Sequence, residues 1–164
     1  VSRAGVALAL LLGACSGSAF RPEALREAAE RIDRDLAQFR KLEAGLDASP
    51  ESPRFTAYFQ GKLLHRVDQR IAYPDGGAGE ASYYYSSYGL FHYRLKRTIT
   101  RMQNGTPAGQ DRVEISLFLD PRGEPVALEK KVNGQPAALD GLDVMNAKNQ
   151  ASLLRARAID LSGK

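Results

Sequence analysis

The stretch VEISLFLDPRGEPVALEKKV, residues 113–132, decides the fold. Val113, Ile115, Leu117 and Leu119 take alternate positions, with Glu114 and Ser116 between them, so the run has one apolar and one polar face at the period of a β-strand. Asp120-Pro121-Arg122-Gly123 then places proline second and glycine fourth in a four-residue turn, the composition of a type I turn. The chain resumes as strand through Val126–Val132. This is a hairpin, apolar within and charged without.

Two earlier segments share the plan, FTAYFQGKLLHRVDQRIAY (55–73) and SYYYSSYGLFHYRLKRTITRM (82–102), with turns closing at Gly61 and Gly89 as the first closes at Gly123. In one, Leu63, Val67 and Ile71 oppose Arg66, Asp68 and Arg70. In the other, Phe91, Tyr93, Leu95 and Ile99 oppose His92, Arg94, Lys96 and Thr98. PDGGAGE (74–80) and QNGTPAGQD (103–111) are expected to be longer hairpin loops, and Asn133-Gly134 a further turn. The pattern is that of a half-buried antiparallel sheet.

Helical periodicity flanks the sheet on both sides. Leu25, Ala29, Ile32, Leu36 and Phe39 recur by four and three, after Pro22 at a first-turn position with Glu23 beside it, and Leu46 resumes the stripe after Glu43 interrupts it. A helical arm over 21–47 is expected, stopped by Gly45 and Ser49-Pro50. Its narrow stripe fits two arrangements, packing on the sheet or a short coiled coil. Near the other end, Val144, Ala147, Ala151, Leu154, Ala158 and Leu161 step by three and four, with Asp143 as the expected N-cap. The expected class is therefore α+β: an N-terminal helix, an antiparallel meander of about six strands, and a C-terminal helix packed on the sheet, the sheet domain running over 53–164.

The 164 residues are 43% hydrophobic and 26% charged, with no tryptophan, two histidines and one cysteine. That is the composition of a globular chain with a core. The net charge of +4 and pI near 9.3 favour anionic partners weakly, because acids lie among the bases. No nucleic-acid recognition motif is present, and no nucleic-acid partner is expected.

Catalytic patterns are scarce. Neither His-x-x-x-His nor Cys-x-x-Cys spacing exists, and there is no Gly-x-Ser-x-Gly elbow or Ser-x-x-Lys. Gly76, Gly77 and Gly79 lack the third spaced glycine of a dinucleotide loop, Ser82 standing there. No metal or cofactor is expected. Asp111, Glu114, Asp120, Glu124 and Glu129 would have to pair across a hairpin to act as a glycosidase dyad, and their alternation fits a solvated face better.

One feature of the body stands out, the cluster Tyr83, Tyr84, Tyr85, Tyr88, Phe91 and Tyr93. Consecutive strand residues alternate faces, so Tyr84 points away from Tyr83 and Tyr85. Either helices cover both faces and the rings are core, or one face shows tyrosine to a glycan or peptide. In the second case Tyr83, Tyr84, Tyr85, Tyr88, Tyr93, Arg94 and Lys96 form the binding surface. A basic patch of Arg94, Lys96, Arg97, Arg101, Lys130 and Lys131 is split by strand parity.

Residues 1–14 read as an address. Arg3 is followed by the apolar run VALALLL (6–12) and the small pair Gly13-Ala14, the layout of a secretory signal peptide and far too short for a membrane-spanning helix. Leu12-Gly13-Ala14-Cys15 closely resembles the lipobox of bacterial lipoproteins. The resemblance implies cleavage before Cys15, acyl chains on Cys15 through a thioether, and an acylated leader over 15–20. Ser16 rather than Asp after the cysteine implies, by analogy with enteric sorting, the periplasmic face of the outer membrane. The second half of the chain also looks like a group of uncharacterised proteobacterial lipoproteins. The expected function is a lipid-anchored envelope lipoprotein, more binding or assembly-support protein than enzyme, held to the membrane at Cys15 and meeting an envelope protein or glycan. The alternatives are a small envelope hydrolase acting on glycan or peptide, and a carrier holding an apolar ligand between helix and sheet.

Overall fold

Pro22 begins the first helix, α1 (Pro22–Asp35), in the computed structural model of the chain, which describes residues 20–49 and 52–163. Eight strands follow: β1 (Arg40–Gly45), β2 (Arg54–Gln60), β3 (Leu63–Ala72), β4 (Ala78–Ser86), β5 (Gly89–Gln103), β6 (Thr106–Leu119), β7 (Pro125–Val132) and β8 (Gln135–Pro136). A long helix, α2 (Gly141–Ser162), follows them. The strands form one antiparallel sheet in chain order, β1 to β8, each paired with its sequence neighbour. The α+β class holds, with eight strands instead of about six.

The first extra strand comes out of the expected arm. α1 ends at Asp35, a 3-10 turn spans Leu36–Gln38, and Arg40–Gly45 pairs with β2. A 21–47 helix is thus corrected to a helix of half that length plus an edge strand belonging to the sheet domain. Glu43 interrupts the helical spacing before Leu46, whereas Leu42, Ala44 and Leu46 alternate, and pairing with β2 lets Leu42 and Ala44 pack against the main core. The second extra strand, β8, is the short return after the Asn133-Gly134 turn.

Three further expectations are corrected. QNGTPAGQD is no long loop: Asn104 and Gly105, at φ 50° and 77°, make a two-residue turn and the strands continue on both sides. Asn-Gly suits such turns because both central residues need positive φ. Asp140, not Asp143, caps α2, its side chain accepting the Asp143 backbone N–H at 2.8 Å. Third, bulges shift the face assignments. Tyr58 pairs with Arg66 but Phe59 with Leu64, leaving His65 as the extra residue and turning Leu64 inward while Leu63 stays exposed. Likewise Tyr84 pairs with His92 but Tyr85 with Leu90, so Phe91 joins His92's side of the sheet.

The glycine after the β3–β4 turn is obligatory for a packing reason. A Cβ on Gly77 would lie 2.1 Å from the Thr98 carbonyl oxygen, and the Gly77 N–H donates to Asp75, which also pairs with Arg97 at 2.8 Å.

Each face of the sheet carries a different helix, α2 on one and α1 over part of the other. On one, Phe55, Ala57, Phe59, Val67, Tyr83, Tyr85, Tyr93, Leu95, Ile115, Leu117 and Leu119 pack with Ala147, Ala151, Leu154 and Ala158 of α2. The alanines let the helix lie close, and the Tyr85 hydroxyl donates to the Ala151 carbonyl at 2.9 Å. On the other, Leu25 and Ala29 of α1 sit over Tyr84, Phe91 and Phe118. α1 therefore packs on the sheet. Leu154 is wholly buried, and truncating such a leucine costs about 2–5 kcal/mol. Leu154→Ala should lower the urea midpoint accordingly with an unchanged denaturant slope.

Candidate functional site

Register places side chains from seven strands in two rows on the α1 face. The first runs Lys41, Tyr58, Arg66, Tyr84, His92, Phe118, Ala127 across β1 to β7. It alternates cation and ring. The Lys41 ammonium lies 5.8 Å from the Tyr58 ring centroid, and the Arg66 guanidinium 6.0 Å from Tyr58 and 5.2 Å from Tyr84. His92 then stacks between Tyr84, at 4.9 Å, and Phe118, at 4.1 Å and 9° between planes. Desolvated cation–ring contacts and stacked rings stabilise by about 0.5–2 kcal/mol each.

Asp33, on the last turn of α1, pins this row to the helix. The Tyr84 hydroxyl donates to its Oδ1 at 2.9 Å, Arg66 Nη1 donates to the same oxygen, and Arg94 Nη2 lies 3.6 Å from Oδ2. Arg66 also donates through Nε to Asp68 at 2.7 Å and through Nη2 to the Ser82 hydroxyl at 3.2 Å. All three arms of a nearly buried guanidinium are thus engaged, so its burial is compensated.

The second row runs Glu43, Thr56, Asp68, Ser82, Arg94, Ser116, Glu129, one pleat further from the first row. Beyond it a third set, Arg70, Glu80, Lys96, Glu114 and Lys131, alternates in sign across β3 to β7. Opposite charges facing across strands help set the register. This part of the face is polar and open. A groove of about 590 Å³ lies over its β1–β4 part, lined by Glu43, Arg54, Thr56, Tyr58, Arg66, Asp68, Arg70, Glu80 and Ser82 among others.

The sequence-derived surface is largely corrected. Tyr83, Tyr84, Tyr85 and Tyr93 are buried, the second under α1 and the others under α2, because each face of the sheet carries a helix. Burial pushes all four hydroxyls above their ordinary pKa range. Tyr88, at the β4–β5 tip, is 70% exposed and far from them in role. Arg94 serves Asp33, and Lys96 stands in the alternating set on the open face. Cys15 lies outside the described residues.

The carboxylates have structural partners. Asp120 accepts the Arg122 and Glu124 backbone N–H groups in its turn, which lowers its pKa, Glu129 pairs with Arg26 at 3.3 Å, and Asp111 with Arg101 at 3.2 Å. Among the described residues no three of His, Cys, Asp and Glu are grouped to hold a metal, and no helix is long and apolar enough to cross a membrane.

Alternation had already put Arg66, Asp68 and Arg70 on one face. What periodicity lacks is Asp33 above them and Glu80, Lys96 and Glu114 beside them, since those neighbours depend on register and on where α1 stops. The fold and face together define an eight-stranded antiparallel meander, capped by a helix on each side and leaving one polar sheet face open. No family model, no curated protein and no solved structure matches this chain.

His92 carries a pH dependence. Its Nδ1–H donates to the Leu117 carbonyl at 3.1 Å, and burial depresses its pKa from 6.5 to about 4. A depressed folded value means the unfolded chain takes the proton first. This contribution is complete above pH 6.5, falls as the pH drops through about 4, and is constant below that. The full loss is about 3 kcal/mol. His92→Phe, which keeps the stack, should flatten that limb when urea unfolding is measured from pH 7 to 4.

Proposed function

We propose that this chain is a lipid-anchored cell-envelope lipoprotein whose sheet body is a non-enzymatic binding module, docking an envelope protein or glycan on the open face of the sheet. The observation that carries the binding half is that face. Side chains from β1 to β7 stand there in register as carboxylates, hydroxyls, ammonium and guanidinium groups, those of β1 to β4 around a groove of about 590 Å³, while α2 packs on the opposite face. Charges of alternating sign offer both donors and acceptors with little net field, which suits a polar chain of sugars or a peptide better than a polyanion.

The anchor half rests on Leu12-Gly13-Ala14-Cys15 after an apolar run. Binding is favoured over hydrolysis because Asp33 and Asp68, two carboxylates of the site, share Arg66 as counter-ion. A paired carboxylate is poorly placed to give or take a proton. The periplasmic face of the outer membrane is the compartment that Ser16 favours.

Cys15→Ser should abolish labelling by a radioactive fatty acid and move the protein out of the sedimented membrane fraction; unchanged labelling and sedimentation would refute the anchor. For the partner, a photo-crosslinking residue at Ser82 of the acylated protein should capture one envelope component. Glu80→Lys combined with Lys96→Glu should reduce that capture about tenfold, the effect of losing roughly 1.4 kcal/mol. Capture no greater than that of a lipoprotein control would sink the binding role.

A further inference from the structure

α2 is apolar on two opposite sides. One side fills the core through Ala147, Ala151, Leu154 and Ala158. On the other, Leu142, Met145, Leu153 and Ile159 are 59%, 50%, 61% and 48% exposed. With Asn149 and Ala156 between them they step by three and four along one face, a stripe of about 26 Å at 1.5 Å per residue. A helix with a single sheet to cover needs only one such stripe, so the outer one asks for a second apolar surface.

Beside it, among the described residues, two of the bases are unpaired, whereas the acids have cationic partners. The two acids of α2 are paired, Asp143 with Lys130 at 2.8 Å and Asp160 with Arg157 at 3.6 Å. Lys148 and Arg155 have no carboxylate within ion-pair distance among the described residues, and Lys148 donates to the Gly123 carbonyl at 3.0 Å. With Arg122, which is paired with Asp120 at 3.2 Å, they line a groove of about 390 Å³ that also takes in Ser152, Ala156 and Ile159 from α2 and Tyr88 from the β4–β5 tip.

Tyr88 connects the stripe to the start of the described chain. It borders a second, apolar groove of about 150 Å³ lined by Phe20, Leu25, Leu90, Phe91 and Pro121. Phe20 is five positions after Cys15. At no more than 3.6 Å per residue, a lipid thioether on Cys15 would lie within about 18 Å of this spot.

We propose that the outer stripe of α2, continued through Tyr88 to Phe20, is a lipid-facing surface that lies on an anionic phospholipid bilayer. The proposal rests on the acylation of Cys15. Leucine, methionine and isoleucine enter the acyl boundary, Tyr88 sits at headgroup level, and Lys148 and Arg155 meet phosphate oxygens. The apolar contact is too small to bind a membrane alone. A tether of that length raises its effective concentration enough to make it matter. The polar sheet face, on the other side of the sheet from α2, is then held away from the bilayer.

The absence of tryptophan makes the test clean. Single variants Leu153→Trp, Ile159→Trp and Tyr88→Trp, with Met102→Trp on the exposed β5–β6 hairpin as control, are made in the full acylated protein. Each is reconstituted in vesicles of phosphatidylethanolamine and phosphatidylglycerol carrying brominated acyl chains. Quenching should be at least threefold greater at 153, 159 and 88 than at 102. It should fall when Lys148→Glu and Arg155→Glu are added, or when salt is raised to about 0.5 M. Vesicle-bound, acylated protein with equal quenching at all four positions overturns the docking alone. Intact mass without a diacylglyceryl addition, together with failure to sediment with vesicles, overturns the anchor and the docking together. A concentration-dependent dimer that shields Leu153→Trp from aqueous quencher, without bromolipid quenching, assigns the stripe to a second copy and also overturns it.

Discussion

The pleat of β4 sends Tyr83 and Tyr85 to one side of the sheet and Tyr84 to the other, and each ring is almost completely buried. A sheet with large aromatic rings on both faces must be covered twice. α2 covers one side with a stripe of alanines that brings backbone near backbone. α1 covers part of the other, and the remainder of that face is left to charged and hydroxyl side chains. The open groove exists because α1 ends at Asp35, well short of covering every strand.

Polar chemistry follows from that division. Tyr84 carries a hydroxyl under a helix, so it needs an acceptor, and Asp33 on α1 supplies one. A carboxylate placed there needs cations, and Arg66 and Arg94 answer from β3 and β5. Arg66 in turn spreads over Tyr58 and Tyr84, whose rings continue the stack through His92 to Phe118. Helix position, sheet register and ion pairing are therefore one coupled network, and its margin is left exposed.

The two sides of the sheet also suit opposite tasks. Alternating charges in register make the α1 side hydrophilic without a strong field of either sign. The α2 side ends in an outward apolar stripe flanked by bases. On the proposed lipid docking, such a body would take one orientation on a membrane, with the sheet separating the two surfaces.

Much of this was legible from spacing. Period-two alternation in 113–119, 63–71 and 91–99 located the long strands, Asp-Pro-Arg-Gly and Asn-Gly located turns, and the three-and-four spacing from Val144 to Leu161 located α2. Arg66, Asp68 and Arg70 were already on one face. Other features were beyond periodicity. Residues 36–46 carry a helical stripe broken at Glu43 beside the alternation of Leu42, Ala44 and Leu46, and pairing with β2 decides between them. The bulges at His65 and Phe91 invert the face of their neighbours, yet a bulge leaves no mark in hydrophobic pattern. The tyrosine run announced rings on both faces without saying what covered them.

The amino-acid order by itself determined the antiparallel class, the turns and the flanking helical segments, because these depend on neighbours within one turn or one hairpin. Tertiary structure alone decided which tyrosines are buried, that Asp33 meets Arg66 and Tyr84, and which part of the sheet stays open. Those outcomes depend on where α1 stops and how seven strands align, and both are set by the packing free energy of residues far apart in the chain.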